Sequence, residues 1–309
     1  MTMNNPQIFR FHTITEYHRA AGLPNPAHPL ISVVHMEDLN KPLADSPFSL
    51  IYDFYSISMK RVKNVKFKYG QQSSDFDEGV LFFMSPGQVF GVEFEKSAAM
   101  HHPEGWMILI HPDFLWNTPL AKNIRQYEFF NYSVNEALYL SDKEEMMLTT
   151  ITQNIEQEYH ANIDRFSGSV IIAQLELLLT YSERFYQRQF ITRKAASHEI
   201  LTKLEDLLAD YFNSGTLALK GLPSVTYIAE HLNISPGYLS GLLKSLTGLN
   251  TQQHLHNKLI ELAKEKLSTT NLSVSEIAYE LGFEHLQSFS KLFKTKTNLS
   301  PLEFRRSFN

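Results

Sequence analysis

Ile277-Ala278-Tyr279-Glu280-Leu281-Gly282-Phe283, then Phe289-Ser290-Lys291-Leu292-Phe293-Lys294, then Ser300-Pro301-Leu302-Glu303-Phe304-Arg305, is the stretch whose reading decides the fold of this 309-residue chain. Ile277, Ala278 and Leu281 fall at helical spacing, Gly282 interrupts them, and Phe289, Leu292 and Phe293 resume the helical period. The same pattern stands about 49 residues upstream, where Val225, Ile228, Ala229, Leu232 and Ile234 match Val274, Ile277, Ala278, Leu281 and Phe283. Leu239, Leu242, Leu243, Lys244, Thr247 and Leu249 then match Phe289, Leu292, Phe293, Lys294, Thr297 and Leu299 at a shift of about 50. Each copy predicts a short helix, a tight turn and a second helix. That is the plan of a helix-turn-helix unit, whose second helix fits the major groove of DNA.

Local punctuation agrees. Ser224 and Ser273 stand where they can cap the first helices. Ser235-Pro236 and Ser300-Pro301 pair a capping hydroxyl with a proline suited to the first helical position. Asn233 and Gly282 occupy the turns, and Gly248 and Asn298 follow the second helices; all four tolerate left-handed backbone angles. Between the units one helix is predicted from Thr251 to Ser268, with Leu255, Leu259, Leu262, Ala263 and Leu267 as its apolar stripe. Its rise of about 27 Å suits a strut between groove entries about 34 Å apart.

Hydrophobic residues make up 43% of the chain and charged residues 20%, a globular composition rather than a disordered one. There is no cysteine, which excludes disulfides, thiolate metal sites and cysteine nucleophiles. The opening residues lack the pattern of a signal peptide and no apolar run approaches a membrane span, so a cytoplasmic protein without membrane association is expected. The net charge of −5 hides an asymmetry: residues 220–309 hold 10 Lys and Arg against 7 Asp and Glu, and residues 1–219 hold 18 against 26. The repeat is the basic part of an acidic chain, which permits nucleic-acid binding without establishing it.

The fold class expected is a multidomain α+β protein. Residues 1–190 form one domain, 191–198 a linker without periodicity, and 199–309 the helical tandem. Within the first domain, residues 1–30 read as an irregular, Pro- and His-rich arm. Residues 31–115 read as strands: Phe48–Met59, the alternating Val65, Phe67 and Tyr69, Val80–Met84 and Trp106–Ile110, with turns at Ser85-Pro86-Gly87 and Gly105. Short strands at this spacing predict a small antiparallel barrel or sandwich. A helical hairpin over 141–190 follows, opened by the Ser141/Glu144 capping-box signature. It either covers the sheet or forms a dimer seam.

The residues quoted at the outset resemble the AraC/XylS family of bacterial transcription regulators, over about 198–309. The resemblance implies a C-terminal all-α domain of seven helices, with two helix-turn-helix units joined by a central helix, that binds promoter DNA. The chain departs from the family pattern at Lys258-Leu259, where an Arg-Leu pair is usual, at Leu243-Lys244, where Phe-Lys is usual, and at Asn298, where Gly is common. By analogy the base-facing positions of the first unit are Gly237, Ser240 and Gly241, none of which can make bidentate base contacts. They are expected to offer close backbone approach instead. The second unit offers His285, Gln287, Ser288 and Lys291, of which Gln suits adenine and Lys guanine. Lys244, Lys294, Lys296 and Arg305 are candidates for phosphate contacts.

A barrel before such a domain resembles the sensor half of the same family, which implies an N-terminal cupin-like β-barrel. Phe54, Tyr55, Phe67, Tyr69, Phe82, Trp106 and His111 are candidates to line a ligand pocket, and equally read as barrel filling. Residues 1–190 contain no His-x-His pair, and His101-His102 alternate across a strand, so no metal and no cofactor are expected. The expected function is a sequence-specific regulator, by family habit an activator acting with RNA polymerase and not an enzyme. A small-molecule effector or a homodimer would act through the first domain. The alternatives are a cupin-type metal enzyme with an appended DNA-binding domain, and a ligand-independent regulator whose barrel only recruits a partner.

Overall fold

The structure, a computed structural model, describes residues 7–39, 43, 48–61, 67–69, 72–74, 79–92, 104–132, 136–161, 164–192 and 194–307. The chain divides into two compact units, Met1–Gln189 and Phe190–Asn309.

The first unit begins with β1 (Gln7–Phe11), α1 (Ile14–Ala21), β2 (Ile31–His35), β3 (Phe48–Tyr52) and β4 (Tyr55–Arg61). It continues with β5 (Phe67–Tyr69), β6 (Gln72–Ser74), β7 (Gly79–Met84), β8 (Val89–Val92), β9 (Glu104–Ile110), α2 (Leu120–Asn123), β10 (Leu138–Leu140), α3 (Asp142–His160) and α4 (Ser167–Thr192). Two of these elements correct the reading of residues 1–30 as an irregular arm. β1 pairs in parallel with β3, and α1 carries a full capping box between Thr13 and Glu16. The prolines that made the arm look irregular lie after α1.

Among the described residues the sheets do not close into the expected cupin-like barrel. Among the described residues there is a five-stranded sheet in the order β10-β7-β4-β9-β2, a three-stranded sheet β1-β3-β8 and the hairpin β5-β6. The Phe48–Met59 run splits at Asp53-Phe54, which carries the chain from the smaller sheet into the larger one. Phe48, Leu50 and Tyr52 from one sheet and Val34, Met84, Met107 and Leu109 from the other share a core with Phe11, Ile14, Tyr17 and Phe54.

The opposite face of the five-stranded sheet is covered by helices. Trp106 Nε1 donates to Thr149 Oγ1 at 3.2 Å, Arg61 pairs with Glu145 at 3.1 Å, and His35 bonds Glu156 at 2.9 Å, all on α3. Leu148, Ile151, Ile155 and Tyr159 of α3 are buried. From α4, Tyr186 stacks on Phe129 with ring centroids 5.5 Å apart, and Arg188 pairs with Glu144 at 2.6 Å. The helical hairpin therefore serves the sheet.

The second unit contains α5 (Lys194–Asn213), α6 (Thr216–Lys220), α7 (Val225–Leu232), α8 (Pro236–Thr247), α9 (Thr251–Thr269), α10 (Val274–Glu280), α11 (Leu286–Thr297) and α12 (Pro301–Arg306). These eight helical segments exceed the expected seven by one. The supposed linker, 191–198, is helical wherever described: α4 ends at Thr192 and α5 opens at Lys194. Ala195 and Ala196 favour helix without any apolar stripe, and no Gly or Pro interrupts them.

The doubled pattern builds two cores. Ile228, Ala229, Leu239, Leu243 and Leu255 form one with Leu204 and Leu208. Ile277, Ala278, Leu281, Phe289 and Phe293 form the other with Leu259, Ile260, Ala263 and Leu267. The central helix α9 thus gives Leu255 to the first core and its later residues to the second. No helix among the described residues is long and apolar enough to cross a membrane.

Candidate nucleic-acid interface

Each recognition helix is aimed by its caps. Ser235 accepts from the Tyr238 amide at 3.1 Å to start α8. Gly248 ends α8 at φ +75° and Asn298 ends α11 at φ +63°. Asn233 turns between α7 and α8 at φ +55°, and Gly282 turns after α10 at φ +77°. Ser273 closes a capping box with Glu276 on α10, and Ser300 one with Glu303 on α12. The Glu276 and Glu303 carboxyls are held below the usual range by these hydrogen bonds to Ser273 and Ser300. Asn250 and Gln253 close another box on α9, which sets the axis of the central strut.

On α11, Phe289 and Phe293 are buried while Gln287, Ser288, Lys291, Lys294 and Thr295 are exposed. Positions 287, 288, 291, 294 and 295 recur at 3.6-residue spacing, so they form one solvent-facing row. His285 is exposed at the N-cap position. The four expected base-reading residues therefore lie together at the N-terminal end of one helix face. Lys294 continues that row one turn further on.

The first unit differs. Gly241 is buried and leaves almost no surface for a groove, which corrects the expectation of close backbone approach there. The Ser240 hydroxyl lies 3.0 Å from Thr251 Oγ1 of α9, and Gly237 is partly buried. Lys244 is exposed near the C-terminal end of α8. Burial of Gly241 depends on the helices packed against α8, which sequence spacing does not reveal.

Two of the four expected phosphate contacts are engaged within the unit. Lys296 Nζ donates to Asn257 Oδ1 of α9 at 2.9 Å, on the far side of α11 from the Gln287 row. Arg305 Nε donates to the Leu267 carbonyl at 3.2 Å. That carbonyl is among the last four of α9, which lack an ordinary intrahelical donor. Arg305 is thus a helix-end partner, and its Nη2 is shielded from solvent. Asn257, which the sequence reading did not single out, is what turns Lys296 inward. Only its place within the first two turns of α9, ahead of Glu261 and Lys264, hinted at a partner.

The aromatic residues proposed for a pocket in the first unit do not converge. Phe54 lies in the core between the sheets. Tyr55 packs edge-on against Phe130 at 5.2 Å, and Trp106 bonds α3, both on the opposite face. His111 accepts from the Asp113 amide at 3.3 Å beyond the end of β9. Phe82 faces the intersheet side, and the side chains of Phe67 and Tyr69 lie outside the described residues. Residues adjacent in a strand cannot share a face, so selecting by aromatic identity mixed two environments. Among the described residues no group of three His, Asp or Glu side chains is arranged to hold a metal ion.

A family model described as a helix-turn-helix domain matches residues 228–307. The chain is 32% identical over 144 residues to the uncharacterized HTH-type transcriptional regulator YfiF of Bacillus subtilis, covering 46% of this chain and 42% of that protein. It is 28% identical over 156 residues to the HTH-type transcriptional activator RhaS of Escherichia coli, covering 50% of this chain and 52% of that one. A solved transcriptional regulator from Chromobacterium violaceum, titled as carrying an AraC-type DNA-binding domain, is 22% identical with a TM-score of 0.32 over 37% of this chain and 96% of its own. The chain spans about half the length of the curated relatives it matches. The sequence matches, together with the paired cores and capped turns of the second unit, carry the conclusion: residues 228–307 form a helix-turn-helix domain similar to those of HTH-type transcription regulators.

Proposed function

We propose that the chain regulates transcription by binding double-stranded promoter DNA over two groove faces and reading sequence mainly through α11. His285, Gln287, Ser288 and Lys291 supply the base contacts, and Lys294 and Lys244 supply phosphate contacts. The observation that carries this reading is the contrast between the two recognition helices. α11 presents an exposed polar row, while α8 presents a buried Gly241 and a Ser240 turned to α9. The first unit then positions the duplex and the second specifies it. We further read the chain as an activator working with RNA polymerase, controlled through the first unit by a small molecule or by homodimerisation. No enzymatic step is part of the proposal.

Gln287→Ala is expected to relax preference at one base pair, at about 1–3 kcal/mol of discrimination. Binding to a duplex selected from a random pool, measured beside its single-base variants, checks this. Equal losses on selected and random duplex would reject Gln287 as a reader. Lys294→Ala is expected to weaken all duplexes alike and to reduce the slope of log K against log salt by about one. A salt titration of the variant with an unchanged slope would remove Lys294 from the phosphate set.

A further inference from the structure

The first recognition helix is covered along one flank. Leu239, Leu242 and Leu243 mark the core side of α8 and are fully buried, while Gly237 and Gly241 are among the positions expected to face bases. Around the helix axis Tyr238 lies about 40° from Leu242 in one sense and about 60° from Gly241 in the other. Tyr238 thus stands at the boundary between the core and the reading face, with Ser245 about 20° from it and two turns further on. Gly241 is buried. The Ser245 hydroxyl oxygen is shut off from solvent and has no hydrogen-bond partner among the described residues. A buried, unpaired hydroxyl is a cost that opening this flank to water would remove.

The residue on Tyr238 is Phe190. It lies near the end of α4, at the start of the second unit. Its ring meets the Tyr238 ring edge-on with centroids 5.1 Å apart, and it is 1% exposed. Both rings lie outside the two cores that the doubled pattern builds. The Phe190 carbonyl is one of the last four of its helix, and the Ser197 hydroxyl of α5 donates to it at 3.0 Å. The residue before Phe190 is tied elsewhere. In the first unit Gln189 donates to the Ala137 carbonyl at 3.1 Å and accepts from the Tyr139 amide at 2.8 Å. On consecutive residues, α4 thus carries a grip on the β10 segment and a cover for α8.

We propose that Phe190 is an autoinhibitory latch on the first helix-turn-helix unit. Packed on Tyr238, it keeps the flank of α8 out of a groove, and engagement of DNA by that unit requires the ring to leave. The proposal rests on the DNA-binding reading above and adds to it a closed form, in which α11 alone presents an open reading face. Only the open fraction binds through both units, so the latch lowers the apparent affinity in proportion to the closed fraction. Because Gln189 belongs to the first unit, the latch is where control by that unit would enter.

The chain has no cysteine, so the latch can be locked at a chosen place. Phe190→Cys and Tyr238→Cys are combined and joined by a bis-methanethiosulfonate, whose short bridge takes the place of the two rings and is reversed by dithiothreitol. Affinity for a duplex selected from a random pool, and the footprint on it, are measured for the full-length parent, for Phe190→Ala, and for the locked and reduced pair, alongside thermal melting. The locked form is expected to bind about tenfold or more weakly than the same protein after reduction, with protection limited to the groove face read by α11. Phe190→Ala is expected to bind about threefold or more tightly than the parent per folded molecule, and to protect both groove faces. Equal affinity of the locked and reduced pair overturns the latch. So does a folded Phe190→Ala that binds no more tightly than the parent, which would mark Phe190 as a support for α8. Where Phe190→Ala does not fold, the locked pair decides alone. Failure of every form to select a duplex overturns the DNA-binding reading and the latch with it, whereas duplex selection with equal affinities overturns the latch alone.

Discussion

Gly282→Ala is expected to unfold the second helix-turn-helix unit or leave it marginal. Gly282 turns the chain at φ +77°, and a Cβ there would lie 2.5 Å from the Leu217 carbonyl oxygen and 2.8 Å from Gly221 Cα. Both are backbone atoms, Leu217 in the first turn of α6 and Gly221 just after it, so neither can rotate aside. An L-residue in the left-handed region costs about 1–2 kcal/mol by itself. The clash adds to that and carries the total beyond about 3 kcal/mol, into the range reserved for core disruption. Tyr211, whose hydroxyl donates to the Gly221 carbonyl at 2.9 Å, anchors the segment that Ala would push away. Gly248→Ala is the matched control. It has φ +75° and nothing within 4 Å of its Cβ, so only the backbone penalty of about 1–2 kcal/mol applies. Denaturant melts of the two variants should differ by more than about 1 kcal/mol. Equal losses would mean that α6 does not press on the turn.

That comparison also marks what was legible in the sequence. The turn at Gly282 was readable because glycine ends one helical period and another begins. The contact with α6 was not, because α6 is five residues long and carries no periodic signal. The helix starts were readable for a related reason: Ser224, Ser235, Ser273 and Ser300 cap by hydrogen bonds from amides three residues on, and local interactions leave local marks. The same rule found the Ser141/Glu144 box, and applied to Thr13 and Glu16 it would have found α1. Three prolines further on drew the reading towards an irregular arm instead.

Non-local pairing left no such mark. β1 runs parallel to β3 some forty residues away, and nothing in Gln7–Phe11 announces it. Strand parity was visible in the first unit, but which parity faces the second sheet depends on that sheet. Tyr55 and Trp106 were therefore grouped with Phe54 and Phe82, although they lie on the opposite face of the sheet. Charge identity was visible at Lys296 and Arg305, while the Asn257 amide and the Leu267 carbonyl that hold them lie on another helix. The row of His285, Gln287, Ser288 and Lys291 was legible because the buried Phe289 and Phe293 fix the orientation of α11 by period alone.

Phe289→Ala separates that row from the core that orients it. Phe289 is fully buried, with ring centroids 5.3 Å from Phe283 and 5.8 Å from Phe293. Truncating a buried aromatic ring costs about 3–5 kcal/mol. The loss falls on the core shared by α9, α10 and α11, while the first core, around Leu239 and Leu255, keeps its own contacts. None of the exposed residues on α11 changes. Protein that remains folded should therefore keep its base preference while the total affinity falls, because only the folded fraction binds. Selected duplex in hundredfold excess over its dissociation constant should restore about 2.7 kcal/mol of stability, so the melting temperature of Phe289→Ala should rise steeply with DNA. Gln287→Ala should do the reverse, losing preference at one base pair with an unchanged melt. A Phe289→Ala protein that melts like the parent would place Phe289 outside the core. One that exchanges its preferred base would mean that the packing of α11, and not its exposed row alone, sets the sequence it reads.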